Sequence, residues 1–363
     1  MYGTYCEKKR KFPPLAGRIP KLSEQFYKRQ HYICDFNEKS RNAKRAAFFL
    51  RTDAGRQKKN PYDGEEPGKI FHECPGVKLN GLSTLYAACD TTALFLIGHE
   101  IYRKLTGDNE FADTNETQIK AAKNYILSHL NKNNVFTENP AFCGSKKFAL
   151  KRTYWKDSEL EHRPNGEPDY PIVYSLAHAQ NTAGLRCAAK LLGSQKLNEK
   201  AEKMKNALNM LYDKSTGCFY MAVDESGPVH GISSDSLHML AYLSRGDISK
   251  NRLEAISKSS ELLETPAGYR TLDSKTAESA KDSYHTKTVW PFEQAIINIG
   301  AKKFGLKHAE EVSSRITKYL ADSDAEIFVL NREKITPGGC STQLWTLAAK
   351  KYFDNPGKAD DYM

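Results

Sequence analysis

The chain has no uninterrupted apolar stretch approaching the ~18 residues that a membrane helix requires, which excludes a helical membrane span. Its first twelve residues, MYGTYCEKKRKF, lack an apolar core of the kind that marks a secretory signal, so the expected location is cytoplasmic. Paired cysteines are missing too. The eight thiols, at 6, 34, 74, 89, 143, 187, 218 and 340, include no CxxC and no zinc-like spacing. Free, mostly buried thiols in a reducing compartment and no metal site are the expectation. Acidic charge is in deficit: 54 Lys and Arg stand against 44 Asp and Glu, a net +10. The positives are scattered, with dense runs at Lys8–Lys11 and Arg56–Asn60, and no zinc finger, RNA-binding signature or aromatic-interleaved basic helix accompanies them. The basicity reads as a solvated surface, with an anionic partner (nucleic acid or an acidic glycan) as the alternative.

What the chain has in quantity is helical periodicity. Apolar residues recur at spacings of three and four, predicting helices over 20–33, 40–52, 83–105, 115–132, 173–192, 195–213, 233–245, 249–263, 287–304, 307–321 and 340–353. Strand-like alternation is scarce, with one fair hairpin at 217–232 turning at Ser226-Gly227-Pro228. From 83 onward, helices apolar nearly all round alternate with helices that carry a narrow apolar stripe and a wide charged face. Such inner and outer helices pair into antiparallel hairpins and close into a double-layered ring. The expected architecture is therefore all-α, a single double-layered ring of helical hairpins over 1–363 with short β-hairpin decorations. Its first or last helix is incomplete, and the basic 1–16 segment and polar 354–363 tail are poorly ordered.

Four long connections, 53–82, 133–172, 264–286 and 322–339, each follow an outer helix and precede an inner one, so they open onto one face. Connections longer than ~12–15 residues in a compact domain are usually functional. These hold aromatic residues beside carboxylates, a combination suited to sugars, and two carboxyl groups can run glycoside hydrolysis as acid and base. Asp157 follows Trp155, whose indole can desolvate a neighbouring carboxyl and suit it to donate a proton. A helix cap or a surface loop charge is the competing reading. Glu326 precedes Ile-Phe-Val-Leu and is expected to point inward, whereas Asp322 and Asp324 face solvent. An ordinary loop carboxylate is its alternative. Asp90 lies among Ala, Leu and Phe and needs a ligand or a core ion-pair partner.

The segments EEPGKIFHE (65–73), ACDTTALFLIGHEIYRKLTGD (88–108), YWKDSE (154–159), PIVYSLAHAQ (171–180), YHTKTVWPFEQAIINIGAKKFGL (284–306), AEIF (325–328) and GGCSTQLWTLAA (338–349) occur in an order and spacing that resemble the glucosidase domain of the amylo-α-1,6-glucosidase (glycogen debranching enzyme-like) family. That family belongs to the six-hairpin glycosidases, which include trehalases. The likeness runs from Phe12 to Phe353. It implies an (α/α)6 toroid and an inverting mechanism without metal or organic cofactor. It makes Asp157 the general acid and Glu326 the general base, ~6.5–9.5 Å apart. Asp90 maps to a sugar contact, and the YHNGSVWPHD-type segment maps to Tyr284, His285, Trp290 and Pro291. Gln180 matches the Gln of the EVQ-type motif. Trp155, Lys156, His285 and Trp290 join the sugar-contact candidates.

The chain departs from that pattern in places. Gly17-Arg18-Ile19 lacks the Asp of the family's Gly-Arg-Asp triplet, the Glu of EVQ is His178, and the carboxylate of WPHD is Glu293 after Phe292. Arg18 and His178 facing an anionic group on the glycan would fit these changes. The family's N-terminal β domain is also missing. The expected function is removal of a terminal α-linked glucosyl or related unit from an oligosaccharide or glucan. The alternatives are a six-hairpin hydrolase of an acidic oligosaccharide and a catalytically weakened glycan-binding protein.

Overall fold

Helices that are apolar on every side occupy the inside of the fold, as their sequences require. The computed structural model of the protein describes residues 58–157, 168–278, 284–331 and 334–355. The helices expected at 20–33 and 40–52, together with Arg18, lie outside those residues. After the small β1 (Lys78–Leu79) and β2 (Leu82–Ser83) pair, α1 (Thr91–Thr106) is buried without a break from Thr91 to Tyr102. The short α2 (Glu110–Thr114) leads into α3 (Glu116–Ser128), which buries only a stripe of Ile119, Ala121, Ala122, Tyr125 and Ile126. Next, β3 (Val173–Tyr174) opens the inner α4 (Ser175–Leu191), and the Ser194 hydroxyl then caps the outer α5 (Gln195–Ala207). α5 buries just Ala201, Met204 and Ala207.

The next inner segment departs from expectation. Instead of a helix over 233–245 there is a single turn, α6 (Asp235–His238), and a 3-10 turn over Met239–Tyr242. Its terminator comes from elsewhere in the chain: the buried Lys303 ammonium donates to the Ala241 and Leu243 carbonyls at 2.7 and 3.2 Å. The outer α7 (Lys250–Ser260), β8 (Glu264–Thr265), β9 (Gly268–Tyr269) and α8 (Ser274–Glu278) follow. After β10 (Thr288–Val289) comes the inner α9 (Pro291–Phe304). The outer helix expected over 307–321 is broken into α10 (Lys307–Ser314) and α11 (Thr317–Leu320). Ser313 and Ser314 hydroxyls bond back to Ala309 and Glu310 carbonyls there, a habit that bends helices. The last described helix is α12 (Leu344–Asp354).

The inner elements pack in chain order, α1 on α4, α4 on the 239–242 turn, that turn on α9, and α9 on α12. Two glycines permit the closest approaches. A Cβ at Gly184 would lie 2.9 Å from the Ala93 Cα, and one at Gly300 would lie 2.8 Å from the Ala241 nitrogen. Outer helices α3, α5 and α10 back onto this arc.

β-structure is richer than the sequence suggests. The hairpin expected at 217–232 is β6 (Ala222–Asp224) with β7 (Gly227–Val229), β6 also pairing with β3, while β5 (Cys218–Phe219) pairs back with β4 (Tyr212–Asp213), which lies outside that range. Asp224 pairs with Gly227, so the turn residues are Glu225 and Ser226, not Ser226-Gly227-Pro228; the Asp224 carboxylate takes the Ser226 N–H at 3.1 Å. The connection read as a loop at 322–339 is largely a second hairpin, β11 (Ile327–Asn331) and β12 (Lys334–Gly338), on whose edge β10 adds a third strand. The six described cysteines are free thiols, and no described helix is long and apolar enough to cross a membrane.

Two buried histidines make the packing sensitive to acid. Burial pushes His178 and His99 down to about 4, against smaller upward pulls from the Met204 and Phe95 carbonyls. Both rings are neutral in the fold at pH 7, and both protonate near 6.5 once unfolded. The unfolded chain therefore binds more protons between those values, and stability falls as pH drops from 6.5 towards 4. At pH 5 the loss is on the order of 2 kcal/mol per ring. The thermal midpoint at pH 5 should lie several degrees below that at pH 7.5, and His99→Leu should narrow the gap; equal midpoints at the two pH values would contradict this.

Candidate active site

The long connections meet at one end of the inner helices, linked by side chains in succession. Lys69 of the first reaches Glu138 of the second at 3.8 Å, and Trp155 of the second lies edge-on to His285 of the third at 5.7 Å. Tyr284 of the third donates its hydroxyl to Glu326 of the fourth at 2.5 Å.

The segment carrying Asp157 is held from below. The Cys89 N–H, beside Asp90 at the entrance to α1, donates to the Thr153 carbonyl at 2.6 Å. Tyr154 stacks on Tyr174 at 4.5 Å. Three successive side chains then converge on one buried carboxylate, Asp235 of α6: the Tyr154 hydroxyl at 3.2 Å, the Trp155 indole N–H at 3.1 Å and the Lys156 ammonium at 2.9 Å. Lys156 also donates to the Ser233 and Ser234 hydroxyls, both at 2.8 Å, and stands 4.0 Å from Glu293. Asp235, His238 and Glu293 are grouped closely enough to hold a metal ion, but the Lys156 ammonium supplies the positive charge among them. Asp157 emerges from this anchored base with a quarter of its side chain exposed, and its Oδ1 lies 3.5 Å from Nδ1 of the buried His285.

The position of Glu326 is set by strand pairing. The β11–β12 register carries on past the strands, the Glu326 N–H donating to the Cys340 carbonyl at 2.9 Å, while β10 lies antiparallel on the other edge of β11 with Val289 opposite Phe328. Glu326 is 6% exposed and points inward, whereas Asp322 is exposed and Asp324 pairs with Lys350 at 2.7 Å near the surface. Both carboxylate oxygens of Glu326 have donors, Tyr284 on Oε1 and the Cys340 N–H on Oε2 at 2.8 Å. Gly339, at φ +69, is obligatory here, because a Cβ would stand 2.5 Å from Oε2. Burial and the Glu326 carboxylate push the Tyr284 hydroxyl far above its ordinary value, so it remains a donor.

Tyr284 and His285 are adjacent in sequence, and each holds one of the two candidate carboxyl groups, Tyr284 that of Glu326 and His285 that of Asp157. The His285 ring lies flat on Trp290, 4.8 Å away at 1°. Trp155, Trp290 and Phe292 meet edge-to-face around it, and Trp345 borders Trp290 at 6.4 Å. Trp155 and Trp290 are buried, as walls; Trp345 is half-buried, with an indole N–H that lacks a hydrogen-bond partner. Sequence reasoning placed Tyr284 in a motif without giving it a role and passed over Trp345, although both lie inside segments singled out there.

Other sequence candidates are placed differently. His178 is fully buried and uses both ring nitrogens within the fold: Nδ1 accepts from the Phe136 N–H at 3.1 Å and Nε2 donates to the Met204 carbonyl at 2.9 Å. A neutral ring so engaged has no donor left for an anionic sugar, which corrects that expectation. Lys156 has its ammonium inside the fold and serves to hold the acid-bearing segment. Asp90 is buried ahead of α1, and Gln180 is buried on α4 with a side-chain oxygen that has no hydrogen-bond partner. Arg18 lies outside the described residues.

No protein-family model matches the chain, and no curated protein does. Among solved structures it is similar to the GH63 mannosylglycerate hydrolase of Thermus thermophilus in complex with Tris and D-glycerate, at 12% identity and a TM-score of 0.60 over 86% of this chain and 89% of that one. It is similar to an uncharacterized conserved protein of the same organism at 13% identity and a TM-score of 0.58, over 90% and 95% of the two chains. The GH78 family rhamnosidase of Bacillus sp. GL1 matches at 13% identity and a TM-score of 0.57, over 85% of this chain and 29% of that one. At such identities the likeness establishes the fold: this arc of helical hairpins is shared with glycoside hydrolases of two families.

Proposed function

We propose that the protein is an inverting glycoside hydrolase, built as a single (α/α)6 ring, that removes a terminal α-linked glucosyl or related unit from an oligosaccharide or glucan. Asp157 protonates the glycosidic oxygen as its bond to the anomeric carbon breaks. Glu326 takes a proton from a water that attacks that carbon from the opposite face. The observation that carries this reading is the Tyr284–His285 dipeptide, which presents one side chain to each carboxyl group. Asp157 is the more open of the two carboxyls, as a donor to a departing sugar needs, and Glu326 is the more enclosed, as a group orienting one water needs. The fold shared with GH63 and GH78 hydrolases supports the reaction class, and the half-buried Trp345 offers an indole face for a sugar ring.

A panel of maltooligosaccharides, isomaltose, trehalose, mannosylglycerate and an aryl rhamnoside tests the substrate, with the anomer first released read by NMR. The expected first product is β-glucose. Asp157→Asn should cut kcat on oligosaccharides by about 10³-fold, within the range for a lost general acid, while turning over α-glucosyl fluoride, whose leaving group needs no proton, at near the parental rate. Glu326→Gln should hydrolyse neither. An Asp157→Asn enzyme as active as the parent on oligosaccharides sinks the assignment.

The environment of Glu326 makes a separate prediction. Tyr284→Phe and Gly339→Ala should each lower kcat by roughly 10–100-fold, the first by freeing Oε1 and the second by displacing Oε2, as expected when a catalytic group is misplaced. Near-UV circular dichroism should remain that of the parent, and unchanged kcat in both variants would remove Glu326 from the mechanism.

A further inference from the structure

On the outer wall, away from the carboxylates, α3 and α5 flank a groove of about 830 Å³. Its floor is apolar, formed by Leu127, Leu192 and Leu197, and its rims are cationic. Lys120 and Lys123 project from α3, and Lys196, Lys200 and Lys203 from α5. The spacings of three on α3, and of four and three on α5, set each group along one helix face, so two rows of ammonium groups confront each other. A single carboxylate, Glu199, lines the same groove. Two of the lysines have neighbours within the fold: Lys120 pairs with Glu116 at 3.0 Å and Lys200 donates to Asn134 at 2.7 Å.

Like charges placed face to face repel, and a counter-charge between them relieves the repulsion. The cations near the ends of α1, α4 and α9 have a local role, since they sit in last turns where helix carbonyls concentrate negative potential. Lys196 has no such role: it stands in the first turn of α5, the end where cations are disfavoured. We propose that this groove docks an acidic amphipathic helix of a partner protein, with a leucine-type stripe on the floor and flanking carboxylates between the lysine rows. The groove lacks the arginine forks that grip phosphate and the aromatic faces on which bases stack, so a carboxylate-bearing peptide fits it better than a nucleic acid. Residues 1–57 are themselves rich in Lys and Arg and do not complement it.

The test uses the full chain and a fluorescein-labelled 18-residue helical peptide with a Leu stripe flanked by Glu on both sides, read by fluorescence anisotropy. Expected are saturable binding that weakens as salt is raised, and at least a tenfold loss with the K196E/K203E double variant. A reversal at Lys250 and Lys258 on α7 should leave binding unchanged. A peptide with Ser in place of Leu should bind at least tenfold more weakly, and so should a single-stranded 18-nucleotide DNA. No binding of the peptide, equal binding by K196E/K203E, or equal binding of the Ser peptide or the DNA each overturns the proposal; the last two would mark the groove as a generic polyanion surface.

Discussion

Three consecutive side chains, Tyr154, Trp155 and Lys156, bond to the carboxylate of Asp235, and the arrangement at the open end of the inner helices depends on that convergence. Asp235 opens a helix only one turn long, so its orientation comes from these partners as much as from its own element. The Lys156 ammonium is buried between Asp235 and Glu293, with two serine hydroxyls and the Thr271 carbonyl completing its shell. Breaking such a buried group by removing one partner costs about 3–5 kcal/mol, because the remaining charge stays inside without compensation. The proposed proton donor is the next residue along. Its placement is thus inherited from an ion pair in the protein interior, and through Ser234 and Glu293 from α9 as well.

The inner helices were legible because being apolar all round leaves a segment no choice but the interior. α1, α4 and α9 appear where expected, except that α1 starts eight residues late, at Thr91, and α9 four, at Pro291, because Thr288 and Val289 form the strand β10 instead. The segment at 233–245 looked equally helical and is not, because Lys303, sixty residues on, claims its terminal carbonyls. The β11–β12 hairpin was hidden for a different reason. Ile327 and Phe328 are both buried, so no two-residue alternation marks the strand.

The site shows the same division. Glu326 was identifiable from the apolar residues behind it, and it does face inward. Asp157 was chosen for its indole neighbour, yet the Trp155 N–H serves Asp235, and Asp157 itself faces the His285 ring. His178 and Lys156, polar residues beside recognisable segments, were read as ligand contacts and turn out to be consumed by the fold. Tyr284, one of nineteen tyrosines, had nothing local to separate it from the rest; its place arises from a contact with Glu326 forty-two residues on.

The pairing of β11 with β12 has a further consequence. Side chains along a strand alternate between faces with a period of two, so slippage by one residue would turn Glu326 away from the Tyr284 hydroxyl to the opposite face of the sheet. The glycine at 339 adds to the constraint, since it tolerates the carboxylate in one register only. A group carried on a loop can be repositioned by fractions of an ångström as neighbours change. One carried at the root of a strand pair moves in whole-residue jumps, so lineages of this fold should keep the register of 327–331 against 334–338 fixed.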